Sequence, residues 1–292
     1  MSTLSNRLIS LLRRGRTHGV LRGPHFSIFG PARRGLLAPL RLAVLGTPRS
    51  GNTWLRRVLA TAYDFSGDAG WERAVHDPAE VDWAAPPARS IVQVHARRGG
   101  GLERFLDPQG VRAVVPRRHP FDVLISILQY ATHVHDTHLW LGGQGGDEAS
   151  IRGLDPNHAD FLTYATGPRA RALLAVSPEW RDAPGAVSVR YEDLVASPAA
   201  TLGILANALG QPPVVSWEDA LAANTKDELR KTHGFGHIWK GRPGLWRDLL
   251  TRPSVDALAA AHRPLLEEMG ESADVEHSPS PEQAMAHWRS LN

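Results

Sequence analysis

A short apolar run, Leu42-Ala43-Val44-Leu45, ends at Gly46, and a helical pattern begins soon after it with Trp54-Leu55-Arg56-Arg57-Val58-Leu59. An uninterrupted apolar run of this length reads as a parallel strand buried on both faces. The connection, Gly46-Thr47-Pro48-Arg49-Ser50-Gly51-Asn52-Thr53, has the G-x-x-x-x-G-x-T spacing of a phosphate-cradling loop. Backbone N–H groups of such a loop converge with a helix N-terminus and attract an anion. Nucleoside-triphosphate loops place lysine directly after the second glycine. Here that position holds Asn52, and the basic group is Arg49, two residues before Gly51. The pattern predicts an anion site that differs from a magnesium-triphosphate site.

Three more strands follow from the sequence, at Ser90–His95, Val111–Val115 and Ala186–Tyr191. Helices are predicted from Pro120, from Pro198 to a stop at Gly210, and over Val255–Met269. Strand–helix alternation with buried strands predicts an α/β fold, a single three-layer α/β/α domain around a mostly parallel sheet. The Gly-, Asp- and Asn-rich segment 141–156 reads as a surface loop or lid. Segments 64–88, 96–108 and 130–160 read as loops around a substrate pocket. Trp71, Trp83, Tyr130 and Trp140 are lining candidates that could equally be core.

The domain is expected over residues 41–270, between a basic amphipathic extension (1–40) and a polar tail (271–292). Residues 1–63 hold eleven arginines and no acidic residue, so the remainder carries −8 of the overall +3. On a helical wheel Leu4, Leu8, Ile9, Leu11 and Leu12 share one side and the arginines another. Two readings stay open for residues 4–16: peripheral contact with an anionic membrane, or docking on the acidic body of the protein. The same composition resembles an organellar transit peptide. No run approaches the length of a membrane span, and the first apolar stretch is too short for a secretory signal. A cytoplasmic protein is therefore expected. An acidic body does not resemble a nucleic-acid binder. The chain has no cysteine, which excludes disulfides, thiolate metal sites and cysteine nucleophiles.

Pro48-Arg49-Ser50-Gly51-Asn52-Thr53-Trp54 resembles the phosphosulfate loop of the sulfotransferases that use 3′-phosphoadenosine 5′-phosphosulfate (PAPS), commonly P-[KR]-S-G-T-T-W. Three other segments match that family in order. Arg118-His119-Pro120-Phe121-Asp122-Val123-Leu124-Ile125-Ser126 resembles its 3′-phosphate motif, R-x-P-x-D-x-x-x-S. Arg190-Tyr191-Glu192-Asp193-Leu194, followed by Pro198, resembles its Y-E-D-L…P segment. Trp239-Lys240-Gly241-Arg242-Pro243-Gly244-Leu245-Trp246 resembles R-K-G-x-x-G-x-W.

The resemblance implies sulfuryl transfer from PAPS to a hydroxyl of an acceptor, which could be a small molecule, a glycan or a lipid. Arg49, Ser50, Gly51, Asn52 and Thr53 would hold the 5′-phosphosulfate. Arg118, Ser126, Lys240 and Gly241 would hold the 3′-phosphate. Trp54 and Tyr191 are adenine candidates, with core packing as the other reading for both. Trp239 stands where the family usually has arginine, and Arg242 is the candidate to compensate. His95 is the expected general base, with a structural histidine as the alternative, and Arg49 the expected stabiliser of the leaving phosphate. The family often has K-x-H where this chain has Gln93-Val94-His95. The rival activity is an ATP-dependent phosphotransferase on the same loop. No metal is expected. His133, His135, Asp136 and His138 have ligand chemistry but read as a loop or helix end near the acceptor pocket.

Overall fold

The structure is a computed structural model. It describes residues 38–65, 70–83, 85–99, 102–106 and 110–292. Five strands form one sheet: β1 Leu40–Leu45, β2 Trp71–Ala74, β3 Arg89–Val94, β4 Val111–Arg117 and β5 Val187–Arg190. All pairs are parallel, in the order β2-β3-β1-β4-β5. The helices are α1 Asn52–Ala62, α2 Glu103–Leu106, α3 Pro120–His133, α4 Ala159–Thr166, α5 Pro168–Leu174, α6 Val176–Arg181, α7 Tyr191–Ala196, α8 Pro198–Leu209, α9 Trp217–Ala222, α10 Lys226–His237, α11 Trp246–Leu249, α12 Arg252–Met269 and α13 Pro281–Leu291.

The two-residue period of a strand explains the layers. Leu42 and Val44 of β1 pack with Ile91, Val114 and Val189 against α1 and α8, through Leu55, Val58, Leu59, Leu202 and Leu205. Ala43 and Leu45 face the other way, with Val92, Val94 and Val115, onto Val176 and Trp180 of α6. A third cluster includes no strand residue and joins α3, α4, α5, α11, α12 and α13 with the intervening Trp239 and Leu245. The sheet is thus covered on both faces, the α/β/α arrangement expected from buried apolar strands. The chain leaves β1 towards one edge of the sheet and, after β3, crosses to the other edge. That reversal puts a topological switch point at the carboxyl end of β1, where open α/β sheets bind ligands.

Helix α3 opens at Pro120 behind the buried N-cap His119, whose Nδ1 accepts from Phe121 N at 3.2 Å. Helices α8 and α12 stop at Gly210 and Gly270, both with φ of 65°. One segment departs from expectation. Strand β2 lies inside the segment read as loop, because an edge strand of sequence Trp-Glu-Arg-Ala offers no apolar run to signal it. The surface loop expected over 141–156 is largely exposed, but the segment 137–156 that contains it is anchored to the core. Trp140, Glu148 and Ile151 are buried. Arg169 of α5 donates to Glu148 Oε1 at 2.9 Å and to Thr137 O at 3.1 Å, and Tyr164 Oη donates to the same Glu148 oxygen at 2.9 Å. Glu148 and Thr137 thus tie an otherwise largely exposed segment to α4 and α5.

After Gly270 the chain reaches α13, which a Ser280–Gln283 capping box starts. Trp288 of α13 meets Trp239 edge-on, with ring centroids 5.8 Å apart. No helix among the described residues is long and apolar enough to cross a membrane. The amphipathic segment 4–16 lies outside the described residues.

Candidate active site

The 46–53 loop is pinned from below. Thr47 N donates to Ser177 Oγ at 2.8 Å, and Ser177 Oγ donates to Pro116 O at 2.7 Å. Asn52 is buried and donates Nδ2–H to Thr47 O at 2.8 Å. Its side chain therefore staples the loop. Gly51 has φ of 88°, and a Cβ there would lie 2.7 Å from the Tyr191 ring, so only glycine fits. No side chain caps α1 and no acidic residue lies in its first turn. The first-turn N–H groups, which have no partner inside a helix, are thus open to an anion.

Above the loop is a cavity of about 340 Å³, and none of the side chains lining it is Asp or Glu. Two guanidinium groups reach it. Arg49 donates Nε–H to Ser126 Oγ at 3.1 Å and lies over the Tyr130 ring, 4.5 Å from its centroid. Arg118 donates to Arg49 O at 3.1 Å and lies 4.6 Å from the centroid of Tyr191. Neither forms an ion pair with a carboxylate among the described residues. Burial, reinforced by the charge of Arg118, pushes Arg49 down to about 10. Arg118 Nε and Ser50 Oγ are buried with no hydrogen-bond partner. Buried charges without partners are costly, and this arrangement fits an anionic group.

His95 leaves the end of β3 into the same cavity. Its Nδ1 lies 2.7 Å from Gly46 O. A carbonyl only accepts, so Nδ1 carries the proton and Nε2 keeps its lone pair. Burial pushes His95 down to about 4, with further lowering from His76 and Arg49, so it is neutral at pH 7. Gln93 Nε2 lies 3.4 Å from His95 Nε2. Arg56 donates Nε–H to Gln93 Oε1 at 3.3 Å, which turns the amide N–H towards the imidazole. Arg56 is held in turn by an ion pair with Glu72 of β2.

The 239–246 segment closes the cavity. Asp122 of α3 accepts from Gly244 N at 2.6 Å and from Trp246 N at 3.1 Å. Tyr191 Oη donates to Gly241 O at 2.9 Å. Glu192 accepts from His119 N at 3.0 Å, tying α7 to the start of α3. The four motifs of the sequence are thus joined by hydrogen bonds as well as by order.

Of the residues expected at the site, Arg49, Gly51, Asn52, Thr53, Trp54, His95, Arg118, Ser126, Tyr191, Trp239 and Gly241 line this one cavity. Ser50 and Lys240 do not. Trp54 also donates Nε1–H to Asn224 O at 3.1 Å. Tyr130 and Trp140 line the cavity and stack with centroids 5.3 Å apart, whereas Trp83 belongs to the core beneath the sheet. The sequence reading missed Lys226 and His237, both of α10, which no motif marks. His237 Nε2 lies 3.0 Å from Thr53 Oγ1, and burial pushes this histidine down to about 2. Among the described residues no group of His, Cys, Asp or Glu gathers where it could hold a metal ion.

No family model matches the chain, and no curated protein matches its sequence. Solved structures do match it. Mouse sulfotransferase SULT7A1, crystallised with PAP, is 16% identical over 80% of this chain and 84% of its own, with a TM-score of 0.54. Retinol dehydratase with androsterone and the inactive cofactor PAP is also 16% identical, over 84% of each chain, with a TM-score of 0.47. Its complex with retinol and PAP matches 82% of this chain and 84% of its own, at 16% identity and a TM-score of 0.47. The chain has the sulfotransferase fold.

Proposed function

We propose that the protein is a PAPS-dependent sulfotransferase that sulfates an acceptor hydroxyl. One observation carries this reading. Two guanidinium groups, buried Arg118 and half-buried Arg49, without carboxylate partners among the described residues, converge with an uncapped helix N-terminus beside a neutral histidine, at the switch point of the sheet.

The residues present suit the donor. The first-turn N–H groups of α1, with Arg49 and Thr53, fit its 5′-phosphosulfate. Arg118 fits a phosphate bidentately, and Tyr191 and Trp54 offer aromatic surface to a base. When bound, PAPS supplies the sulfuryl group that passes to the acceptor oxygen, leaving PAP (3′-phosphoadenosine 5′-phosphate) with the added negative charge. His95 Nε2 takes the proton of the acceptor hydroxyl, while its Nδ1–H stays on Gly46 O. Arg49, held by Ser126 and Tyr130, keeps positive charge where the leaving phosphate gathers its own. The chain's contribution is positioning and electrostatics. Tyr130 stacked on Trp140 supplies an apolar wall for the acceptor.

Calorimetric titration of the whole chain with PAP, with ATP as control, tests the reading. Micromolar binding of PAP and little of ATP is expected. The reverse preference would replace sulfuryl transfer by phosphotransfer from ATP.

A further inference from the structure

Position 239 is where the resembling motif has a basic residue, and this chain has tryptophan. The Trp239 ring turns into the helical core, with Nε1 donating to Leu291 O at 3.4 Å and the ring edge-on to Trp288. No cation comes from that position. Arg242 does not replace it, because its guanidinium is paired with Asp248 on the exposed side of the loop. Arg118 therefore needs a different companion if the far end of the cavity takes a doubly charged phosphate.

Lys226 is in place for this. It is the first residue of α10, behind the N-cap Thr225, and it lines the cavity. Its Nζ donates to Lys240 O at 2.7 Å. A Cβ built on Gly241 would lie 3.3 Å from that Nζ and 2.8 Å from Tyr191 Oη. The ammonium, the phenol and the Gly241 backbone thus meet at one point, and Gly241, with φ of 61°, leaves room there. Lysine has three N–H donors, and among the described residues only one is used. The neighbouring Asp227 pairs with Arg230, and Lys226 forms no ion pair among the described residues. Burial lowers the ammonium's affinity for its proton, Arg230 and then Arg118 add to it, and Asp227 opposes it. Like charges brought together at the rim of a cavity with no acidic wall are explained by an anion between them.

We propose that Lys226 is a nucleotide-binding residue, supplying from the start of α10 the second cation beside Arg118 for the 3′-phosphate of the donor. The inference rests on the sulfotransferase reading and adds to it a residue outside the four motifs. The role that the resemblance gives to position 239 is moved to a different element, 13 positions earlier in the chain.

The test compares PAP with adenosine 5′-phosphate, which lacks the 3′-phosphate, by calorimetry on the whole chain. Wild type, Lys226→Met and Lys226→Arg are titrated with each. Wild type should prefer PAP. Loss of one charge-assisted hydrogen bond should cost Lys226→Met about 10–100-fold in PAP affinity. Its affinity for adenosine 5′-phosphate should change less than about threefold, and Lys226→Arg should retain most of the PAP affinity. Lys226 is exposed, so the thermal midpoint should not move; Lys226→Gln is the second variant if methionine lowers it. Unchanged PAP binding in both neutral variants overturns the assignment, and so does an equal loss for both nucleotides. A wild type with no preference for PAP overturns the sulfotransferase reading itself, a result distinct from either.

Discussion

His95 shows how three neighbours fix what one side chain can do. Gly46 O dictates which ring nitrogen carries the proton, and Arg56 dictates which end of the Gln93 amide faces the other nitrogen. An amide N–H aimed at Nε2 suits a lone pair and opposes a second imidazole proton. Burial lowers the residue to about 4, so the proposed base stays neutral well below the ordinary histidine range. Transfer catalysed by His95 should therefore hold level from neutral pH down to about pH 5 and lose its acid limb near 4, where an unperturbed histidine would lose it near 6.5. Gln93→Glu replaces the donor by an acceptor that favours imidazolium, and should move the acid limb upward. A pH–rate profile of wild type and variant reads this directly, and an acid limb near 6.5 in both would show that the chain of contacts does not tune the base. Arg49→Ala should lower turnover by about 10²–10³-fold in single-turnover sulfuryl transfer, and near-normal turnover would remove Arg49 from the charge-stabilising role. Arg49, Arg118, Ser126 and His95 were singled out by their places in motifs that resemble a family's, Ser126 within α3 and the others just after strand ends, and the structure brings them to one cavity. Lys226 and His237 were not singled out, since only the packing of α10 across α1 and α3 brings them to the cavity.

Among the elements, β1, β3 and β4 were readable because buried parallel strands leave apolar runs, and the edge strand β5 because Val187 and Val189 alternate with polar residues. The α3 and α8 starts were readable because proline suits the first turn. The surface loop expected over 141–156 is largely exposed, and what its composition did not show is how the longer segment 137–156 is anchored. Glycine and acidic residues suggest solvent, yet Glu148 is fully buried and accepts from both Arg169 and Tyr164. Composition does not reveal that an arginine from α5 will neutralise it. The segment carries Trp140 to the cavity, so the network also shapes the candidate acceptor wall. Arg169→Met would leave a buried carboxylate without its cation, at a cost of about 3–5 kcal/mol. Urea denaturation should show that loss, whereas a solvated loop would show less than about 0.5 kcal/mol.

Across the whole molecule, the chemistry that suits the site is in tension with stability. The cavity gathers Arg49, Arg118 and Lys226 without a carboxylate on its walls, and it buries His95 and His237 in neutral form. Both histidines are held below the unfolded value of about 6.5, so the unfolded chain takes up protons first as the solution is acidified. Stability from these groups is complete above about pH 6.5 and drains as pH falls towards 4, at up to about 1.4 kcal/mol per pH unit for each histidine. An anion bound among the three cations stabilises only the folded state, by an amount set by its concentration relative to its dissociation constant. Urea midpoints taken at pH 7, 5.5 and 4.5 should therefore fall steadily in wild type. The fall should be shallower in His95→Gln, and PAP should raise the midpoint at every pH. Equal slopes in wild type and His95→Gln would mean that His95 is not buried as a neutral imidazole. The same loss of that form would also deprive the proposed reaction of its base.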